Sequence, residues 1–80
     1  MIQVDVVYDA GPTGCGELIM QLFLKMRSLP VGSVVEVVSY DPGARQDIPA
    51  WCHLRNQILL ETRDVGSTRH YFIRRTQENF

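Results

Sequence analysis

Cys15 is the residue of this chain whose type and surroundings best suit chemistry. It lies in the segment Gly11-Pro12-Thr13-Gly14-Cys15-Gly16, just before a helix-like stretch. Such a position offers backbone N–H groups without intrahelical acceptors and the positive end of the helix dipole, which favour a thiolate. Gly14 and Gly16 leave room for a partner's sulfur, and Glu17 completes the candidate binding residues. Two interpretations are open: a reactive or anion-binding thiol, or a small buried residue at a helix start.

Other chemistry-bearing residues give weaker signals. The glycine-rich segment lacks the Gly-Lys-Ser/Thr ending of a phosphate loop and the spacing of a dinucleotide fingerprint. Cys52 adjoins Trp51 on the apolar side of a predicted helix and is expected in the core. His53 and His70 stand alone, so neither a metal site nor a cofactor is predicted.

Positive side chains concentrate near the end of the chain, at Arg63, Arg69, His70, Arg74 and Arg75. We expect them to line a solvated sheet edge that charge protects from unwanted pairing. The alternative is a docking surface for an acidic partner or for RNA. The net charge of −1 weighs against nucleic acid, since binding to phosphates draws on positive charge.

The bulk composition is that of a soluble globular protein, with 45% hydrophobic and 21% charged residues. The length predicts one domain over residues 1–80. Two cysteines are too few for a disulfide scaffold, and no signal-peptide pattern is present. No apolar run approaches the roughly 18 residues that span a bilayer. We therefore expect a cytoplasmic protein with reduced thiols and no membrane insertion.

The first half of the chain has three periodic segments. Alternating apolar residues predict a half-buried strand over Ile2 to Tyr8, and polar residues at helical spacing predict an amphipathic helix over Glu17 to Ser28. The valine-rich run from Ser33 to Tyr40 is typical of a buried strand. Met20 and Leu24 flank the helix's polar stripe and are expected to be buried. If exposed, they would extend a partner surface beside the candidate thiol.

A second helix is predicted from two start signals. Asp41-Pro42 and Asp47 with Pro49 both resemble helix N-termini, and proline is tolerated in a first turn. We therefore expect a loose turn over 42–46 and a helix from about Ile48 to Arg55. Its predicted buried side consists of Ile48, Trp51, Cys52 and, less strongly indicated, Leu54.

Two further strand-like runs, Gln57 to Arg63 and Thr68 to Arg75, are predicted to form a hairpin with the four-residue loop 64–67. The polar tail from Thr76 to Phe80 is expected to fray. The order is then β-α-β-α-β-β. A right-handed crossover places both helices on one face of a four-stranded mixed sheet, which is an α+β two-layer sandwich.

The chain resembles the TusA/SirA-like sulfur-carrier family from Tyr8-Asp9-Ala10 to about Arg74. The Asp-Ala pair precedes Cys15 at the family's spacing. The segment from Asp41 to Cys52, which contains two prolines and a Trp-Cys pair, is similar to the family's second-helix signature almost residue for residue. The resemblance implies the same topology that the periodicity predicts.

The resemblance also implies a function. Family members accept sulfane sulfur on a cysteine as a persulfide and hand it to a partner protein, and Cys15 occupies the acceptor position. The implied partners are sulfur donor and acceptor proteins, and the implied activity is a sulfurtransferase-type relay. The family motif Cys-Pro-x-Pro is replaced by Cys15-Gly16-Glu17-Leu18, so both prolines are absent. The alternative is a non-catalytic protein-binding or regulatory module on the same fold.

Overall fold

The computed structural model describes residues 1–76, which form four strands and two helices in the order β-α-β-α-β-β. The α+β class is confirmed. Residues 77–80 of the tail expected to fray lie outside the described residues. The elements are β1 (Val6–Gly11), α1 (Cys15–Arg27), β2 (Val34–Ser39), α2 (Ala44–Leu54), β3 (Ile58–Val65) and β4 (Thr68–Arg74).

The strands form one mixed sheet in the order β1-β2-β4-β3. β1 is parallel to β2, whereas β4 is antiparallel to both β2 and β3. Therefore β1, β2 and β3 all point the same way and end at one edge, called here the carboxyl edge. Both helices begin there, and the β3–β4 turn lies there too.

One hydrophobic cluster joins both helices to the same face of the sheet. On that face Val35 pairs with Ile73 and Val37 with Tyr71, and all four side chains are fully buried. The helices complete the cluster with Leu18, Leu22 and Met26 from α1 and Ile48, Trp51 and Cys52 from α2. Both helices therefore cover one face, as predicted.

The first strand begins later than predicted. The alternation starts at Ile2, but the ladder with β2 starts at Val6. β2 itself begins only at Val34, whose N–H donates to Asp5 Oδ2 at 2.8 Å. Residues before Asp5 have no strand beside them to pair with. Ile2 and Val4 instead lie with Phe72 in a cavity on the sheet face opposite the helices.

The second helix begins earlier than predicted, and the loose turn expected over 42–46 is wrong. The backbone there is tightly wound, because Arg45 N–H donates to Pro42 O at 3.2 Å and Asp47 N–H to Gly43 O at 3.1 Å. Pro49 consequently lies inside the helix. Ala44 is fully buried one turn before Ile48, so core packing continues the helix across the proline.

The hairpin turn has two residues rather than four. Asp64 pairs with Arg69 and Val65 with Thr68, so the ladder continues to Gly66-Ser67. Gly66 has φ +60°, which is the glycine-favouring conformation at the first central position of a type II′ turn. This tighter turn places Asp64 directly opposite Arg69 at the carboxyl edge.

Candidate functional site

The connection from β1 to α1 is set by Gly11, the last residue of the strand. It has φ +56°, in the left-handed region that glycine adopts without steric cost, and the strand register shifts beside it. Its N–H donates to Asp9 Oδ1 at 2.9 Å. Thr13 N–H then closes a turn onto Ala10 O at 3.0 Å. The chain therefore leaves the sheet sharply and reaches Cys15 four residues later.

Cys15 is the first residue of α1, as predicted from the sequence to within two residues. Gly14 is the N-cap with an extended backbone and no side-chain hydrogen bond. The first intrahelical bond runs from Leu18 N–H to Gly14 O at 2.9 Å. The N–H groups of Gly16 and Glu17 precede that bond, so they have no acceptor within the helix. The structure thus joins Cys15 to an uncapped helix start that favours an anion.

The two glycines beside Cys15 are exposed and face open space. A Cβ built on Gly14 or on Gly16 meets no heavy atom within 4 Å. Neither position therefore needs glycine to avoid a clash in this structure. The small residues instead leave the backbone on either side of Cys15 accessible to a large partner.

Glu17 lies in the first turn of α1, and its carboxylate is bonded to a residue of the same helix. Its Oε2 accepts a hydrogen bond from Gln21 Nε2 at 2.9 Å. Burial of the Tyr8 hydroxyl, with a smaller contribution from the negative charge of Glu17, raises the pKa of Tyr8. A carboxylate here stabilises the helix start but opposes a second anion beside it.

An apolar groove runs between the two helices next to Cys15, and we call it the interhelical groove. A cavity of about 300 Å³ is lined by Gly16, Ile19, Met20 and Phe23 of α1 and by Trp51, Leu54 and Arg55 at α2. A neighbouring cavity of about 380 Å³ extends it towards Asp47 and Ala50. Because Gly16 lines both cavities, the groove begins one residue from the candidate acceptor.

The exposure of three apolar side chains on the two helices corrects two predictions. Leu54, expected on the buried side of α2, is 75% exposed. Met20 and Leu24, expected as buried flanks of α1, are 55% and 40% exposed. Helical spacing places all three on apolar flanks, but neither the other helix nor the sheet covers their side chains. A surface that the sequence treated as core is therefore open beside Cys15.

Cys52 is buried among core residues, as expected, at 2% exposure. Burial disfavours its charged form and raises the pKa of the Cys52 thiol to about 12. A neutral, inaccessible thiol is a poor nucleophile. The structure therefore gives Cys52 a place in the core and no accessible thiol for chemistry.

The positive residues near the hairpin are largely engaged with acidic neighbours. Arg63 Nη2 lies 2.5 Å from Glu61 Oε2, and His70 Nδ1 lies 2.5 Å from Glu36 Oε2. Arg69 pairs with Asp64 at 2.9 Å. The predicted protected sheet edge is wrong for Arg69 and His70, because β4 lies inside the sheet between β2 and β3, and of the five positive residues Arg63 alone lies on an edge strand. The local pairing with acidic groups disfavours a surface for RNA.

Within residues 1–76, no three His, Cys, Asp or Glu side chains are grouped so that they could hold a metal ion. No helix in that part of the chain is long and apolar enough to cross a membrane. Sequence reasoning found the helix start but missed the interhelical groove and the arginines around Asp64. The pairing of Asp64 with Arg69 depends on a two-residue turn, whereas the sequence pattern predicted a four-residue loop.

Comparisons with known proteins point to a single family. A family model described as sulfurtransferase TusA matches residues 7–75. A protein of Pseudomonas paraeruginosa (strain DSM 24068 / PA7), named sulfur carrier protein TusA, is 36% identical over 72 residues, which cover 90% of this chain and 91% of the relative. A protein of the same name from Pseudomonas putida (strain W619) is 34% identical over 71 residues, which cover 89% of each chain.

The burial of Cys52 predicts a large difference in reactivity between folded and unfolded states. In the Cys15→Ser variant, where Cys52 is the remaining thiol, we expect folded protein at about pH 8 to resist iodoacetamide and unfolded protein to react. With the pKa at about 12, only roughly one thiol in ten thousand is ionised at that pH. Mass spectrometry counts the added groups over time. Rapid labelling of the folded variant would contradict the assignment of Cys52 to the core.

Proposed function

The chain belongs to the TusA sulfurtransferase family, and from this membership we propose that it accepts sulfane sulfur on Cys15 and passes it to a partner protein. The observation that carries the proposal is the position of Cys15 as first residue of α1, after a glycine N-cap that supplies no side-chain hydrogen bond. The backbone N–H groups at this helix start can stabilise a thiolate before transfer and a persulfide anion after it. The implied location is the cytosol, where thiols stay reduced.

The proposed transfer is a thiol exchange that balances without an outside oxidant. The Cys15 thiolate attacks the terminal sulfur of a donor persulfide, R–S–SH. A new S–S bond forms on Cys15, the donor's S–S bond breaks, and the donor leaves as the thiolate R–S⁻. An acceptor thiolate then attacks the outer sulfur of the Cys15 persulfide and restores the Cys15 thiolate. The helix start serves both half-reactions because each begins or ends with negative sulfur at the same position.

The interhelical groove is the proposed contact surface for the protein that donates or receives the sulfur. Exposed apolar side chains grouped around a candidate nucleophile are typical of a protein-binding surface. Met20 and Leu54 form its exposed walls, and Gly16 connects it to the acceptor cysteine. Arg55 and Asp47 lie at different parts of its rim and supply opposite charges that can orient a partner.

Loading with sulfur tests the proposed acceptor directly. After incubation with polysulfide or with a cysteine desulfurase and cysteine, we expect the protein to gain the mass of one sulfur atom, which a thiol reductant removes. Cys52→Ala should gain the same mass, since that thiol is buried. Cys15→Ser should gain none. Retention of the added sulfur by folded Cys15→Ser would overturn the assignment of the acceptor, whereas absence of any mass gain on the wild-type protein would favour the binding-module alternative.

The replacement of the family's proline by Gly16 gives a second test. Gly16→Ala keeps the backbone N–H, whereas Gly16→Pro removes it, and a Cβ fits at this position without contact. We expect Gly16→Ala to load sulfur at the wild-type rate with about 0.5–1 kcal/mol more stability. Gly16→Pro should load about five-fold more slowly, the effect of losing one hydrogen bond of roughly 1 kcal/mol.

The rate of sulfur loading reports on the Gly16 N–H, and thermal unfolding reports on stability. Both are measured on the two Gly16 variants. Equal loading by the two variants, with both folded, would show that the Gly16 N–H does not stabilise the reacting sulfur.

A charge placed in the groove should impair transfer between proteins and leave the chemistry of Cys15 intact. We expect Leu54→Glu and Met20→Glu to lower kcat/KM with a protein persulfide donor at least about ten-fold, as truncation of an interface hot spot does. Loading by polysulfide, which needs no docking surface, should be unchanged. Val31→Glu is the matched control, because Val31 is 59% exposed and lies outside the groove. Equal losses in all three variants would exclude a specific role for the groove.

A further inference from the structure

A second, polar pocket lies at the carboxyl edge of the sheet, between the start of α2 and the β3–β4 turn. Its volume is about 340 Å³. Its lining includes Ser39, Tyr40, Asp41, Arg45, Asp64 and Arg69. We call it the arginine pocket. It shares no lining residue with the interhelical groove and plays no part in the proposed transfer.

Two guanidinium groups from different elements converge on one carboxylate oxygen in this pocket. Arg45 Nη2, from the first turn of α2, lies 3.2 Å from Asp64 Oδ1. Arg69 Nη1, from β4, lies 2.9 Å from the same atom. The hydrogen bond from Arg69 is the largest cause that lowers the pKa of Asp64, and the charges of both arginines add to it. Asp64 is thus an anion held between two cations.

The two guanidinium groups of the pocket have N–H groups without an acceptor among residues 1–76. Arg69 donates from Nη2 to Thr62 Oγ1 at 3.0 Å and from Nη1 to Asp64, but its buried Nε has no acceptor among residues 1–76. Arg45 donates to Asp64 from Nη2. Each guanidinium carries five N–H groups in a flat fork that suits a second pair of oxygens. Unused donors of this geometry are suited to an oxyanion.

Asp41 and the backbone at the start of α2 are already hydrogen-bonded. Asp41 Oδ1 accepts from Gly43 N–H at 3.2 Å, and Asp41 N–H donates to Ser39 Oγ at 3.1 Å. Ala44 N–H donates to Asp41 O at 3.1 Å. The backbone at the start of α2 is therefore occupied, and binding capacity rests with the side chains of Arg45 and Arg69.

We propose that the arginine pocket binds a small oxyanion, such as sulfate, thiosulfate or a carboxylate, between Arg45 and Arg69, and that Asp64 holds this place when no ligand is present. The side chain of Asp64 is 57% exposed, so it can swing into solvent when the ligand arrives. Surface ion pairs of this kind contribute little stability, which makes the exchange easy.

The pocket adjoins the segment that leads to Cys15. Tyr40, which lines the pocket, donates its N–H to Gly11 O at 3.3 Å. This bond connects one wall of the pocket to the residue at which the chain turns towards α1. The proposal itself concerns binding alone and does not depend on sulfur transfer, so it is tested in a protein that cannot carry sulfur.

The test is a titration of ¹⁵N-labelled Cys15→Ser protein with sodium sulfate, with thiosulfate and with acetate, at constant ionic strength made up with chloride. We expect saturable amide shifts confined to residues 39–45 and 64–69. Asp64→Asn should bind about five-fold more tightly, because it removes the competing carboxylate. Arg45→Gln and Arg69→Gln should bind about ten-fold more weakly. Arg74→Gln, an exposed arginine of β4 outside the pocket, should bind as the parent does.

The titrations give results that either support or overturn the oxyanion site. Arg45 is exposed, so Arg45→Gln remains a valid test even if loss of the partly buried Arg69 unfolds the chain. Saturable binding that tightens in Asp64→Asn and weakens in Arg45→Gln supports the site, and the arm with the lowest Kd names the preferred oxyanion. Linear shifts without saturation, or shifts unchanged in Arg45→Gln and Asp64→Asn, overturn it. Because the protein lacks Cys15, either result is independent of the sulfur-carrier proposal.

Discussion

The parallel pairing of β1 with β2 is the constraint on which the rest of the structure depends. Two parallel neighbours cannot be joined by a tight turn, so the chain must cross back over one face, and α1 is that crossing. The crossing must start where β1 ends. Because β3 also runs parallel to β2, with β4 inserted between them, α2 makes a second crossing from the same edge. Both helix starts and the hairpin turn therefore gather at the carboxyl edge, which explains why Cys15, the start of the interhelical groove and the arginine pocket all lie at this edge.

The sequence predicts which helices and strands are present, but it predicts their first and last residues less accurately. Periodicity identifies every helix and strand because each one packs a single face on the core. It cannot show which residues of a periodic run find a neighbour: the alternation at Ile2 and Val4 continues the pattern of β1, but β2 is too short to pair with them. At α2 the proline rule predicted a late start, whereas the buried Ala44 stabilises an early one. Tertiary packing outweighed the local preference in both cases.

The candidate site also has a part that the sequence predicts and a part that it does not. Gly14, Cys15 and Gly16 were identified from local sequence, because an uncapped helix start is a local property. The surfaces around it arise from the distance between elements. An apolar side chain such as Leu54 carries the same pattern whether a neighbouring helix covers it or not. Likewise, Arg45 and Asp64 are 19 residues apart in the sequence and meet only in the assembled fold, and Asp64 faces Arg69 because the hairpin turn is tight. Groove and pocket therefore required the assembled fold.

The burial of Cys52 affects how long a persulfide on the same chain can survive. A persulfide is vulnerable to any thiolate in the same molecule: attack on its inner sulfur closes a disulfide and expels the outer sulfur as hydrosulfide, a diffusible waste product. A chain with a second reactive thiol would thus lose its outer sulfur to solution as hydrosulfide. In this chain that thiol lies in the hydrophobic core, protonated and out of reach. The same packing that stabilises α2 therefore protects the sulfur that Cys15 is proposed to carry until a partner's thiolate arrives.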